Sequence, residues 1–163
     1  MTVPAIECAP MEANTRRAAF ELLSGFLYND PHYLESRAAY GDGGPAALDR
    51  ALVLFLARPE TGLVWLAHDR SDRRPIGACV VCYAISTARG GLVAKLDDVT
   101  VRGDIHGMGV GTAMLTALCD WLRARGVTRI DCACRRSNAR AWRFYERLDF
   151  KPLDEERIAL LLD

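Results

Sequence analysis

The sequence predicts an α/β fold in which one mixed central β-sheet is flanked by helices. Two helical segments come first, three strand-like segments follow, and a helix, a strand, a helix and a last strand complete the pattern. With 163 residues, the chain is long enough to bury about 70% of the surface exposed by the unfolded chain. We therefore expect a single domain covering residues 1–163.

The first two predicted elements are helices. Met11 to Tyr28 has its apolar side chains on one helical face, and the polar segment from Asn29 to Tyr33 ends this helix. The turn-rich sequence YGDGGP then precedes a second helix from Pro45 to Ala57.

Strand-like patterns follow from residue 62 onward. The predicted strands are Gly62–Asp69, Arg74–Ser86 and Gly91–Val101, and the sequence TARGG joins the last two as a hairpin. A helix then begins near Val110 and ends at Gly126. A strand over Thr128–Cys134 follows, then a short helix and a buried strand over Arg157–Leu162. The short helix has one apolar face, made of Ala141, Phe144, Tyr145 and Leu148.

The composition argues against several classes of partner. Lys plus Arg and Asp plus Glu each number 21, so no overall field attracts nucleic acid or an anionic membrane. The longest apolar runs fall short of the ~18 residues of a membrane span, and the N-terminal sequence lacks a signal-peptide pattern. We therefore expect a cytoplasmic protein without a nucleic-acid or membrane partner.

The six cysteines are expected to be small core residues rather than disulfide partners or metal ligands. Cys79 and Cys82 have a metal-like spacing, but positions three apart on a strand face opposite sides. The sequence therefore predicts no metal site. Five of the six lie in apolar periodic segments: Cys79, Cys82, Cys119, Cys132 and Cys134.

The most informative segment runs from Lys95 to Leu115, where a strand and a short polar loop precede glycines at 107, 109 and 111 at a helix start. Such glycines let the backbone approach a ligand, and their amides add to the positive end of the helix dipole. A pyrophosphate fits this pattern, and a flexible turn is the alternative. A dinucleotide motif would need glycine where Thr112 or Met114 stands, and a P-loop would need a lysine before Thr112.

The segment VTVRGDIHGMGVGTAML, followed by SNARAWRFYERLDF, resembles the acetyl-CoA signature of the GNAT superfamily, from about Arg74 to the C-terminus. GLVAKLDDVTV is similar to a strand of the spermidine/spermine acetyltransferases. The resemblance implies an N-acetyltransferase with acetyl-CoA as co-substrate. In the family, backbone groups of this strand hold the pantetheine arm and amides of the loop bind the pyrophosphate. The cofactor-binding residues implied are Val99, Thr100, Val101, His106, Gly107, Met108, Gly109, Val110, Gly111, Thr112 and Asn138.

Two positions depart from the family pattern. His106 stands where Arg or Gln is usual, so a positive charge near the phosphates is absent or depends on pH. Asp149 stands where Gly is usual after the last helix. Because Asp tolerates the left-handed conformation better than most residues, the turn is expected to survive. Asn138 either binds the cofactor or caps the last helix, and both roles are compatible.

Acetyl transfer to an amine needs a base for the ammonium and an acid for the departing thiolate. The resemblance gives Tyr145 the acid role, with core packing as the alternative. By resemblance to the polyamine enzymes, Asp97 matches the base position. Two alternatives stay open: Asp98 or a water is the base, or these carboxylates have a purely structural role.

The acceptor amine is expected to enter between the strand carrying Asp97 and the segment from Asn29 to Pro45. This segment offers Tyr33 and Tyr40 for cation–π contact, and Asp98 is expected to help bind the substrate. Its acidic residues are candidates for attracting an ammonium: Asp30, Glu35 and Asp42. A plain surface connection is equally compatible with the pattern.

Three further points stay open at this stage. Eight arginines lie between Trp121 and Arg147, and they either steer CoA or form a solvated face. The acceptor is a small-molecule or peptide amine, and a homodimer is open. The competing function is a non-catalytic regulatory module that binds acyl-CoA. A cysteine-based two-step transfer is disfavoured, since no Cys has an evident His partner.

Overall fold

The computed structural model describes residues 4–153, 155 and 157–162. Its sheet consists of β1 Ile6–Pro10, β2 Gly62–Asp69, β3 Pro75–Ser86, β4 Gly91–Val101 and β5 Ile130–Cys132. The helices are α1 Arg16–Leu27, α2 Pro31–Ser36, α3 Gly44–Ala57, α4 Val110–Arg123 and α5 Ala139–Glu146. None of the helices in the described ranges is long and apolar enough to cross a membrane.

The five strands lie side by side in sequence order. The pairs from β1 to β4 are antiparallel and β4 pairs with β5 in parallel, so the predicted mixed sheet is confirmed. Ser86 pairs with Gly91 at the predicted hairpin. One hydrophobic core packs α4 and α5 on one face, and another packs α1 and α3 on the other. Cys79 belongs to the first core and Cys82 packs on the second, as their spacing predicts.

Two short elements differ from the sequence prediction. The segment from Asn29 to Tyr33 ends α1, but it also starts α2, because Asp30 caps that helix by accepting from the Tyr33 amide at 2.9 Å. Pro31 at the first helical position completes the start signal. Strand β1 was not predicted, since five residues give too short a pattern to stand out.

β4 and β5 diverge, and this divergence creates the opening in which the candidate site lies. Their pairing covers only Ala94 to Leu96 on β4 and Ile130 to Cys132 on β5. β4 continues to Val101. The strand predicted over Thr128–Cys134 is shorter than expected, since β5 covers only Ile130–Cys132. The second half of β4 therefore has no strand partner on the side of β5, which leaves an opening beyond the paired residues.

A β-bulge distorts β4 at the edge of this opening. Val80 pairs with Asp97 and Ala78 pairs with Thr100, so Asp98 and Val99 together lie opposite Cys79. Asp98 has a φ of 51°, a left-handed conformation that Asp tolerates better than most residues. The bulge changes the direction of the Asp98 side chain from that of a regular strand.

The predicted buried strand over Arg157–Leu162 is wrong. These residues form no strand, and Ile158 and Leu162 are each 92% exposed. A sixth strand needs a long free edge, and β5 offers only three residues. The segment instead lies near the α2–α3 connection, where the Arg157 guanidinium carbon is 5.9 Å from the Tyr40 ring centroid.

Candidate active site

The glycine-rich loop forms a cradle of backbone amides at the start of α4. Gly107 and Gly109 both have a φ of 80°, which favours glycine, and Gly109 is the N-cap of α4. The first hydrogen bond within the helix runs from the Ala113 amide to Gly109 O, at 3.0 Å. Helix geometry leaves the amides from Gly109 to Thr112 without an intrahelical acceptor. The cradle therefore fits an anionic ligand such as a pyrophosphate.

Gly111 is required for a different reason. A Cβ at this position would lie 3.3 Å from the ring of Phe144 and 3.6 Å from a Val101 methyl carbon. The missing side chain lets α5 pack against the start of α4. Of the three glycines, two thus set the loop conformation and one sets the position of the neighbouring helix.

His106 is held against the end of β4. Its Nε2 lies 2.6 Å from the carbonyl oxygen of Val101, to which the ring N–H donates. This contact uses one of the two ring nitrogens within the protein. An arginine at this position, as in the family pattern, would instead carry a permanent positive charge.

Asp97 and Asp98 have different electrostatic surroundings. The Lys95 ammonium lies 2.8 Å from Asp97 Oδ2, so Asp97 is an ion-pair partner. Among the described residues, Asp98 has no recorded hydrogen-bond or ion-pair partner. Its pKa is raised to about 6, first by desolvation and second by the Asp97 charge, with Lys95 acting in the opposite direction. A bound cation or a proton would therefore stabilise the partly buried Asp98 carboxylate.

Tyr145, like Asp98, lies within electrostatic range of the buried Cys79 thiol. Its ring packs against Phe144 and Phe150, with centroids 5.2 Å and 5.3 Å away. Burial, followed by the nearby Cys132 thiol, raises its pKa well above the ordinary value. Tyr145 consequently stays protonated at neutral pH.

The cysteines near Tyr145 are protonated thiols. Burial raises the pKa of Cys132 to about 11 and that of Cys79 well above its ordinary value. A thiol is a nucleophile in its thiolate form, which these surroundings disfavour. No group of three or more His, Cys, Asp or Glu residues within the described ranges is arranged to hold a metal ion.

The acidic residues of the 29–45 segment are engaged by partners within the protein. Asp30 caps α2, and Glu35 Oε2 accepts from Arg135 at 2.9 Å. Asp42 accepts from Arg37 at 2.9 Å and from the Gly44 amide at 2.7 Å. The expectation that this trio attracts an ammonium therefore loses its basis. Asp98 is the carboxylate beside this segment that has no recorded partner in the described part of the chain.

Tyr33 and Tyr40 stack with centroids 5.8 Å apart. Tyr33 is the inner of the two, since the Asp42 and Asp98 charges act on its hydroxyl after desolvation and raise its pKa to about 12. Tyr40 is the outer ring, 48% exposed. The fold therefore brings Tyr33, but not Tyr40, into electrostatic contact with Asp98.

Comparison with known proteins supplies the family. A model of the acetyltransferase (GNAT) family matches residues 25–150. The chain belongs to the GNAT family. It is 32% identical to mycothiol acetyltransferase of Beutenbergia cavernae over 94 residues, or 58% of this chain. The match spans 30% of that relative's length.

Solved structures of acetyltransferases share this GNAT fold. A probable acetyltransferase superposes with a TM-score of 0.76 at 18% identity, covering 96% of this chain and 98% of the other. A predicted acetyltransferase with acetyl-CoA from Clostridium acetobutylicum gives a TM-score of 0.72 at 15% identity, covering 97% of each chain. At these identities the likeness shows the fold alone. The family model and these structures together establish a GNAT-family chain with the GNAT fold.

Two smaller expectations can be compared with the structure of this GNAT chain. Asn138 caps α5, because its side-chain oxygen accepts from the Ala141 amide at 3.1 Å; the capping role is confirmed, and the cofactor role stays a prediction. Asp149 has a φ of 64°, so the turn that usually carries Gly survives with Asp, as expected.

The sequence did not predict the link between α2 and the segment after β5. Arg135 donates to Glu35 and to the Ser36 hydroxyl, and its carbonyl accepts from the Trp142 indole at 2.9 Å. An arginine and a glutamate 100 residues apart leave no local pattern. The link ties the acceptor-side helix to the far side of the opening.

Proposed function

We propose that this GNAT chain transfers an acetyl group from acetyl-CoA directly to a primary amine of a small molecule or peptide, without a metal. The observation that supports the proposal is that Asp98 and Tyr145 both interact electrostatically with Cys79, close to where the pairing of β4 with β5 ends. One group is a carboxylate without a recorded partner in the described chain. The other is a buried phenol that holds its proton.

Asp98 acts as the base in this proposal. With a pKa of about 6, it is largely ionised at neutral pH and accepts a proton from the bound ammonium, directly or through a water. Asp97 is the base expected from the resemblance, but Lys95 pairs with its carboxylate. We assign Asp97 the supporting role of raising the pKa of Asp98 through its charge.

Tyr145 acts as the acid. The amine nitrogen bonds to the acetyl carbon, the carbon–sulfur bond breaks, and the Tyr145 hydroxyl gives its proton to the sulfur. Burial raises the pKa of a thiol at this place, as Cys132 illustrates with a value of about 11. A thiolate leaving here is therefore a stronger base than in water, which offsets part of the loss of acidity that burial causes in the Tyr145 phenol.

Acetyl-CoA supplies the reactive thioester when bound. The amides of the cradle from His106 to Thr112 would hold its pyrophosphate. The backbone edge of β4 from Val99 to Val101, which β5 leaves without a strand partner, would hold its pantetheine arm. Asn138 would add a polar contact. The protonated thiols of Cys79 and Cys132 support direct transfer over a two-step route through an acetyl-cysteine.

In this proposal the acceptor is selected by the positive charge of its ammonium more than by its shape. The ammonium would lie between Asp98 and the Tyr33 ring, which together suit a small or flexible primary amine. The likeness to spermidine/spermine acetyltransferases and that to mycothiol acetyltransferase each suggest amine classes to test. A cytoplasmic location and a single domain over residues 1–163 remain part of the proposal.

The test is a calorimetric titration with acetyl-CoA, followed by thiol release with a panel of polyamines, amino sugars, amino acids and peptides. We expect binding, then release of CoA thiol with at least one primary amine. Binding without release for every amine would favour the competing function, a non-catalytic module that binds acyl-CoA.

Gly109→Asp is expected to raise the Kd for acetyl-CoA at least tenfold, because a carboxylate would repel the pyrophosphate. Gly109→Asn is the matched control, since Asn has the same shape and tolerates the positive φ. Calorimetry should show a much smaller loss for Asn. Equal Kd values for the two variants would rule out the cradle as the phosphate site.

Tyr33→Ala is expected to raise KM for the amine about tenfold and to leave KM for acetyl-CoA unchanged, through loss of the inner ring beside Asp98. Tyr40→Ala removes the outer ring and should have a smaller effect. Steady-state kinetics with both substrates measures this difference. Equal changes in the two KM values for Tyr33→Ala would exclude the segment from the acceptor site.

A further inference from the structure

The exposed face of α5 carries arginines beside the amide cradle. Phe144 of α5 contacts Gly111 at the start of α4, where a Cβ would be 3.3 Å from its ring. Arg140 and Arg147 lie four residues before and three residues after Phe144, so they flank it on the same side of the helix. Arg147, the C-cap, keeps helical dihedral angles.

Both side chains are available to a ligand. Arg140 and Arg147 are exposed, and neither has a recorded acidic partner in the part of the chain that the structure describes. Other arginines of the same region do have partners, such as Arg129 with Asp131 at 2.9 Å and Arg123 with Asp120 at 2.7 Å. Arg140 and Arg147 therefore place positive charge that no described carboxylate neutralises on the side of α5 that adjoins the cradle.

The cradle itself supplies amides but no fixed cation. His106 stands where the family pattern has Arg or Gln, and its Nε2 donates to Val101 O. A phosphate monoester with about two negative charges is bound best by guanidinium groups, which can form paired hydrogen bonds to it. CoA carries such a monoester at the ribose 3′ position, in addition to its pyrophosphate.

We propose that Arg140 and Arg147 form a binding site for the 3′-phosphate of CoA on the side of α5 that adjoins the cradle. This inference rests on the proposed function. In this arrangement the amides of the cradle bind the pyrophosphate, and α5 supplies the positive charge that His106 does not fix. The chain then distinguishes CoA from its 3′-dephospho form.

The experiment is calorimetric titration of CoA and of 3′-dephospho-CoA into the wild-type protein and the double variant Arg140→Gln, Arg147→Gln. We expect the wild type to bind CoA about tenfold more tightly, equivalent to about 1.4 kcal/mol. The double variant should lose this preference, with the Kd for CoA raised and that for 3′-dephospho-CoA nearly unchanged. Both replaced side chains are exposed, and circular dichroism checks that the variant is folded.

Arg50→Gln is the control for net charge, because Arg50 lies on α3, which packs on the opposite face of the sheet. It should keep the wild-type preference. Equal wild-type affinity for the two ligands, or an equal loss for both in the double variant, would overturn the inference and leave the proposed function standing. Failure of the wild type to bind either ligand would overturn both.

Discussion

Tyr145→Phe is expected to lower kcat by about 10²–10⁴-fold, the range for loss of a general acid. The Phe ring keeps the packing against Phe144 and Phe150, so binding of acetyl-CoA should change little. The Tyr145 hydroxyl is replaced by hydrogen, and the departing thiolate then has to take its proton from water. Steady-state kinetics and calorimetry on the same preparation separate these two effects.

The changes in kcat and in the Kd for acetyl-CoA together decide whether Tyr145 is the catalytic acid or only a packing residue. A Tyr145→Phe protein with wild-type kcat would exclude Tyr145 as the acid. A Cys132→Ala variant is the companion measurement, because the Cys132 thiol lies beside the Tyr145 hydroxyl. We expect it to lower kcat less than Tyr145→Phe does, since the proton donor itself is retained.

Asp98→Asn is expected to lower kcat/KM for the amine by about 10²-fold or more, through loss of the base. Asn tolerates the positive φ of 51° at this position, so the bulge should remain. Asp97→Asn is the discriminating variant. If Asp97 were the base, as the polyamine-enzyme resemblance suggests, Asp97→Asn would cause the larger loss and our assignment would be wrong.

The raised pKa of Asp98 also predicts two effects of pH. Because protonated Asp98 cannot accept a proton, kcat/KM of the wild type should fall as pH drops through about 6. The folded-state pKa lies above the ordinary Asp value of 3.8, so the folded state binds this proton more tightly than the unfolded state. The contribution of Asp98 to stability is therefore favourable at low pH and is lost as pH rises through about 6.

Asp98→Asn should consequently be more stable than the wild type at pH 8, since the neutral amide avoids burying a charge. The advantage should shrink towards pH 4. Thermal unfolding at both pH values measures it. If the variant were less stable than the wild type at pH 8, Asp98 would form a stabilising ion pair. The described residues provide no such partner, so this result would contradict our account.

Local patterns predicted much of this fold. Strand β4 and the hairpin before it follow from alternating apolar residues and a glycine-containing turn, and the amide cradle follows from the alternating glycines 107, 109 and 111. The left-handed turn at Asp149 was also predictable from local preference. Each of these depends on residues that are neighbours in sequence.

The remaining features depend on distant contacts or on competition between neighbours. Nothing local distinguishes Asp97 from Asp98, because the bulge that separates their roles forms against Cys79 on another strand. The partners of Glu35 and Asp42 are set by tertiary packing and loop closure. The apolar run from Arg157 to Leu162 predicts a strand locally, but a strand also requires an edge to pair with.

The fate of a labelled acetyl group tests the proposed reaction most directly. The protein is mixed with acetyl-CoA carrying an isotopic label in the acetyl group, with and without a reactive amine, and mass spectrometry follows the label. Direct transfer predicts label on the amine nitrogen when amine is present and an unmodified protein when it is absent. Label on a cysteine of the protein that then passes to the amine would contradict direct transfer, and label retained on CoA with every amine would contradict catalysis.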